Sequence, residues 1–261
     1  MNNSFFYSVD AAILSLILFV GCVLMIIGGK AVRDKFLEKD EHETRGGVNA
    51  LLGALFGLWA FILAFTFGNV STRFENVRSA MVDEANAIRS VILRVETFPD
   101  SIQSGFREDV KKYLQARIDY FEHGDDLESI NKSKQDAVEI GKRLWTRTIE
   151  ASHVHDLSLT ATTMLSALSA MYDVGARRDA MLMGGLPKPI RYMLFFIALV
   201  ISFVGGFTSP VIKRKEWVVI IGFIILACSI IYVTLDLARP MKGLIKPDVE
   251  QAKIVKLLEL F

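Results

Sequence analysis

The chain has 261 residues, 52% of them hydrophobic, with a mean hydropathy of +0.37 and a formal net charge of +1. A balance this close to neutrality gives no reason to expect a nucleic acid or a strongly acidic substrate as partner. The hydrophobicity is unevenly placed: uninterrupted apolar runs lie toward both ends, and the middle is as charged as a water-soluble domain, which excludes one globular core.

The first run, 11–29, carries no charge, and no Lys or Arg precedes it. Without a basic start or a small-x-small cleavage pattern it reads as a retained helix rather than a secretory signal, and Gly21-Cys22 lacks the context of a lipoprotein site. The second run, 46–72, is uncharged and longer than a bilayer requires, and runs at 192–212 and 217–235 complete the set. A hydrocarbon core of ~30 Å needs ~20 apolar helical residues, so four membrane helices are expected. Tyr192, Trp217 and Tyr232 sit near helix ends, where amphipathic rings prefer the headgroup layer. Cys22 and Cys228 both fall inside apolar runs, so a disulfide is not expected.

Between the second and third spans the chain reads as helices. No Gly or Pro separates the second run from the apolar set Val77, Met81, Ile88, Ile92 and Val95. The second helix is therefore expected to continue well beyond the bilayer, until Pro99. Phe106, Val110, Tyr113, Leu114, Ile118 and Phe121 predict an amphipathic helix ending near His123-Gly124, and another is expected over about 134–150. A last one carries Leu157, Met164, Leu165, Leu168, Met171 and Tyr172 until Gly184-Gly185 and Pro187 stop it. No strand-like alternation occurs. The expectation is an all-α integral membrane protein: a hairpin over 1–72, a helical extramembrane domain over 73–190 continuous with helix 2, a second hairpin over 191–236 and a tail over 237–261.

Charge bias bears on orientation. The loop after the first span carries Lys30, Arg33, Lys35, Lys39 and Arg45, and the loop after the third carries Lys213, Arg214 and Lys215. By the positive-inside rule both loops are cytoplasmic, which places the helical domain outside. Arg177, Arg178, Lys188 and Arg191 before the third span, and Arg239, Lys242, Lys246, Lys253 and Lys256 in the tail, pull the other way.

The interiors of the spans contain no Asp, Glu, Lys, Arg or His. Proton relays, voltage sensors and ion-coupled transporters keep such groups at depth, so those mechanisms are disfavoured, whereas a channel is not. Along the second span Gly53, Gly57, Ala60, Ala64, Gly68 and Ser71 recur at spacings of three and four. Such a small-residue face serves close helix packing within the chain or lines an oligomeric pore, with Asn49, Thr66, Phe67 and Asn69 as further candidate lining residues. Beyond the membrane, Arg73, Glu75, Arg78, Glu84, Asn86 and Arg89 form either a solvated face with ordinary pairs, or a pore mouth in which Arg73 and Arg78 concentrate anions. His153-x-His155 lacks a second cluster of ligands, so surface histidines are expected rather than a metal site. No nucleotide, metalloprotease or hydrolase motif is present, and neither enzyme activity nor a cofactor is expected.

Several stretches carry a resemblance. Leu63-Ala64-Phe65-Thr66-Phe67, Arg73-Phe74 with Arg78, and Glu84-Ala85-Asn86-Ala87-Ile88 are one set; Leu168-Ser169-Ala170-Met171-Tyr172-Asp173 with Arg177-Arg178, and Leu235-Asp236-Leu237-Ala238-Arg239-Pro240 running on to Ile245, are another. Together they resemble the bestrophin-like bacterial family of unknown function known as DUF4239. The resemblance implies kinship with bestrophins, which are pentameric anion channels with four membrane helices per subunit and a cytosolic helical domain. It implies as motif positions Arg73, Arg78, Glu84, Asn86, Asp173, Arg177, Arg178, Asp236 and Arg239, with Arg78 and Glu84 pairing to Arg177, Asp173 or the tail. The calcium-clasp and pore-neck motifs of bestrophins are absent from this sequence. The resulting expectation is a homo-oligomeric ion channel of the bacterial inner membrane, conducting anions such as chloride past its second helix. A non-conducting scaffold or sensor is the alternative.

Overall fold

The computed structural model describes residues 10–36, 45–123, 126–208 and 214–261, with the side chains of 36, 45, 46, 48, 49, 127, 183 and 214–216 outside the description. Eight α-helices run in chain order among the described residues: α1 (Ala11–Phe36), α2 (Arg45–Val95), α3 (Asp100–Glu122), α4 (Leu127–Ser152), α5 (Ser158–Met183), α6 (Lys188–Thr208), α7 (Arg214–Leu237) and α8 (Asp248–Val255). Short 3-10 turns follow at His155–Leu157 and Lys256–Leu260, and no strand occurs among the described residues. The chain divides into two compact units, one of residues up to Thr72 together with Leu186–Ala238, the other of Arg73–Gly185 together with Arg239–Phe261.

The first unit holds α1, the opening part of α2, α6 and α7, which contain the four stretches long and apolar enough to cross a membrane. Asp10 caps α1 by accepting the Ala12 N–H at 2.9 Å. The helix runs past its uncharged stretch to Phe36, with Arg33 and Lys35 in the last turn, where cations favour the dipole. Leu14, Leu18, Ile26, Trp59, Leu63, Ile201 and Ile231 form its core. The closest helix approach joins α1 to α6: a Cβ on Gly206 would strike the Ile26 carbonyl, and one on Gly29 the Phe203 carbonyl. Backbone meets backbone there, and only glycine leaves the room. The Trp59 indole N–H donates to the Leu194 carbonyl at 3.3 Å, fixing α2 against α6.

The second unit is an all-helical domain. Val77, Met81, Ile88, Ile92 and Val95, recurring at helical spacing along α2, are all buried, as are Phe106, Val110, Leu114 and Ile118 of α3 and Met164, Leu168 and Met171 of α5. The helix α2 ends at Val95 and Pro99 opens α3. The fourth helix begins at Leu127, seven residues before its expected start, because the Asp126 carboxylate accepts the backbone N–H groups of Glu128 and Ser129. The C-terminal segment is not a loose tail: Ile254 and Leu257 enter the domain's core, and Arg107 donates to the Leu260 carbonyl at 3.0 Å. Lys39 and Lys213 of the two basic loops, and the first nine residues, lie outside the described residues.

Candidate functional site

A helix turns about 100° per residue, so the uncharged part of α2 presents three faces. Leu52, Phe56, Trp59, Leu63, Thr66 and Val70 pack inward. Roughly a third of a turn away lie Gly53, Gly57, Ala60, Ala64 and Gly68, all exposed on the isolated chain. A Cβ added at Gly53, Gly57 or Gly68 meets nothing within 4 Å. Leu58, Phe61 and Phe65 occupy the remaining face, Phe61 being 70% exposed. Among the described residues, the three glycines of this stripe make no close helix contact; that role falls to Gly29 and Gly206, which the spacing argument passed over. Gly57, Ala60 and Ala64 border an apolar crevice of ≈ 1070 Å³ whose other walls include Leu18, Trp59 and Phe223.

The polar candidates divide. Thr66 departs from the expected lining: it lies on the packed face, 3% exposed, and its hydroxyl donates to the Ile62 carbonyl at 2.7 Å. Phe67 and Asn69 are exposed, and the Asn49 side chain lies outside the described residues.

Where α2 continues into the helical domain, Glu84 is fully buried. Its two oxygens accept hydrogen bonds from Arg117 Nε of α3 and Arg178 Nη1 of α5, both at 2.5 Å. Arg117 reaches on to Asp179 at 2.8 Å, closing a buried quartet of two cations and two anions. Aromatic rings flank it. Arg117 stacks over the Tyr120 ring at 5.1 Å, and Arg178 over Phe121 at 5.6 Å. Burial alone would favour a neutral Arg117, but the carboxylates of Glu84 and Asp179 hold it protonated above its ordinary value. Burial pushes the neighbouring Tyr120 phenol up to about 12 and also raises Tyr113.

The pairing expected from the motifs is thus shifted by one residue. Arg178, not Arg177, meets Glu84, while Arg177 and Asp173 are exposed. A helix face cannot be assigned to adjacent residues from a motif alone, and Arg117 and Asp179 carry no local signal at all. Arg78 does pair with the tail, donating to Glu250 at 2.8 Å and to Glu75 at 2.9 Å. The Glu250 carboxyl is held below the usual carboxylate range, chiefly by that Arg78 hydrogen bond. Arg73 donates to the Met181 carbonyl at 2.6 Å, satisfying a carbonyl in the last turn of α5. Both arginines are engaged within the chain, which favours the pairing reading over an anion-concentrating ring. Asn86 is exposed, and Asp236 and Arg239 are buried, each in its own unit. His153 and His155 are exposed, and no cluster able to hold a metal ion occurs among the described residues.

The fold has counterparts. A crystal structure of a variant bacterial bestrophin homolog from Klebsiella pneumoniae superposes with a TM-score of 0.68 at 13% identity, covering 95% of this chain and 99% of that one. A second crystal structure, of a variant described only as a membrane protein, gives 0.65 at 13% identity over 94% and 98% of the two chains. A sequence search of curated proteins finds no match. The model of the Bestrophin-like domain matches residues 15–247, and with the helical layout described above it places this chain in the bestrophin-like family of membrane proteins.

Proposed function

We propose that the protein is a homo-oligomeric ion channel that conducts anions along α2. The observation carrying this reading is the small-residue stripe Gly53, Gly57, Ala60, Ala64 and Gly68, which faces away from the chain's own packing in a helix that crosses the membrane. Copies arranged about an axis, five by analogy with bestrophins, bring these stripes toward one another and leave an uncharged path of low profile. The packed face fixes α2 to its own subunit, and Phe61 and Phe65 meet the neighbour or lipid. The absence of Asp, Glu, Lys, Arg and His from the interiors of the membrane segments suits a passive path rather than a proton-coupled one. Of the two orientations, we take the one in which the helical domain is cytoplasmic, as in bestrophins, with its basic flanks on the same side. The function needs no reacting group, so an enzymatic role has no support.

The test is ion flux from proteoliposomes of the purified protein, with chloride and potassium gradients run separately beside empty vesicles. Chloride flux blocked by Ala64→Trp and Gly68→Trp, with the oligomer intact, supports the reading. Flux unaffected by both removes α2 as the lining helix. No flux under varied pH, calcium and voltage turns the assignment to a scaffold whose helical domain binds a partner.

A further inference from the structure

In the helical domain α4 and α5 run antiparallel, with Lys134 opposite Asp179 and the Tyr172 hydroxyl donating to the Gly141 carbonyl at 2.7 Å. A cavity of ≈ 900 Å³ opens between them, floored by Tyr113 and Arg117 of α3. That volume falls within the range of small-molecule sites, about 300–1,000 Å³. Three features mark it as built rather than left over. Tyr113 is 4% exposed, yet its hydroxyl has no hydrogen-bond partner among the described residues. It faces Gly175, where an added Cβ would lie 3.4 Å away. That hydroxyl is not sealed from the cavity, so it can donate to a group that enters there. Next, the aromatic wall is continuous: Tyr113 lies 6.2 Å from Tyr172, and Trp145 6.4 Å from Tyr172 on the open side. Finally, the charges are unequally committed. Arg117 is matched by Glu84 and Asp179 in the quartet. Lys134 stands 3.9 Å from Asp179, beyond hydrogen-bond distance, and Lys142 has no ion-pair partner among the described residues. Asp173, the other carboxylate of the lining, is exposed at the rim.

We propose that this groove binds a small organic anion with a flat apolar body, such as an aromatic carboxylate or phosphate ester. The acidic head sits between Lys134 and the Tyr113 O–H, which donate to it, with Lys142 adding its charge from the rim. The body lies on Tyr172 and Trp145. From Lys134 to Trp145 is about 16 Å along α4 at 1.5 Å per residue, long enough for such a ligand to lie in the groove. An organic cation fits less well, because the carboxylate deepest in the cavity, Asp179, is already bonded to Arg117 at 2.8 Å. The wall residues Ala176 and Ala180 on α5 are small, which leaves the groove open.

The experiment uses the full-length protein in lipid nanodiscs, titrated calorimetrically with 1-naphthoate, 1-naphthylmethylamine and 1-naphthalenemethanol. Naphthoate is expected to bind saturably at one site per chain, more tightly than the other two. The double variant Lys134→Gln, Lys142→Gln should weaken it by about tenfold or more. Ala176→Trp, which fills the groove from an exposed position, should abolish binding while thermal unfolding and oligomeric state stay unchanged. Equal or tighter binding of the amine or the alcohol overturns the proposal, as does naphthoate binding that survives Ala176→Trp, or no saturable binding at millimolar concentration. Binding is read without ion flux, so these outcomes are independent of whether the protein conducts.

Discussion

Glu84 and Arg178, ninety-four residues apart, meet at 2.5 Å with neither side chain reaching solvent. The same carboxylate holds Arg117, whose charge it shares with Asp179, and so ties α2 to both α3 and α5. Removing one partner of a buried ion pair typically costs about 3–5 kcal/mol, because the remaining charge is left uncompensated. Glu84→Ala is therefore expected to destabilise the helical domain by at least that much, a large share of a domain's stability. Arg78→Ala removes a pair whose arginine side chain is 40% exposed, and a far smaller loss is expected. Urea unfolding of both variants, followed by circular dichroism, checks the ranking. Equal losses would mean that the quartet contributes no more than a surface pair.

The glycines of the membrane helices separate in the same way. Gly206→Ala drives a methyl group into the Ile26 carbonyl, and overpacking of this kind costs about 1–3 kcal/mol. Gly57→Ala meets nothing within 4 Å among the described residues, and alanine favours a helix by about 1 kcal/mol over glycine. Thermal unfolding in detergent should fall for Gly206→Ala and hold or rise for Gly57→Ala. If Gly57→Ala instead lowers stability only in the assembled form, the stripe is a contact between subunits rather than an open lining.

Much of this layout is legible in the sequence, for reasons specific to its elements. Four uncharged runs declare the membrane helices, and the unbroken spacing from Val77 to Val95 declares the extension of α2, because burial on one face needs only local periodicity. The quartet is not legible. Glu84, Arg117 and Asp179 lie on three helices, and a charged residue bound for a domain interior looks in sequence like one bound for solvent. The stripe on α2 is visible, but what it faces is not. The same pattern describes Gly29 and Gly206 crossing backbone to backbone and Gly57 facing open space. The tail reads only as a basic segment after the last span, yet Gln251 is buried and Ile254 completely so, with Arg178 reaching the Gln251 side chain at 3.4 Å.

The tail contact carries a pH dependence whose sign follows from Glu250. Its carboxyl is depressed, first by the Arg78 hydrogen bond, so the stabilisation is present in full above the ordinary glutamate value of about 4.3. It is lost as the pH falls through the lower, folded value. The tail should stay clasped from neutrality down to about pH 5 and loosen only once the pH has dropped below the ordinary glutamate value. Urea titrations of the wild type and of Glu250→Gln at several pH values test this. The two curves should converge in acid, and a difference that persists unchanged at low pH would assign the contact to packing alone.

Orientation sets two physical arguments against each other. Lys30, Arg33, Lys35, Lys39 and Arg45 in the first loop outweigh an N-terminal segment with no basic residue, which favours that loop in the cytoplasm. Arg177, Arg178, Lys188 and Arg191 before α6, with Arg239, Lys242 and Lys246 after α7, are as close to the membrane and lie on the opposite side. Of these, however, Arg178 is neutralised by Glu84 once the domain folds, so its charge counts during insertion and not afterwards. The cytoplasmic placement proposed above is the expected outcome. In a background with Cys22 and Cys228 replaced by alanine, Glu139→Cys puts one thiol on α4, at a side chain 74% exposed. A membrane-impermeant maleimide should label it in inside-out vesicles and not in intact cells. Labelling in intact cells instead would put the helical domain outside, and would mean that the first loop alone directs insertion.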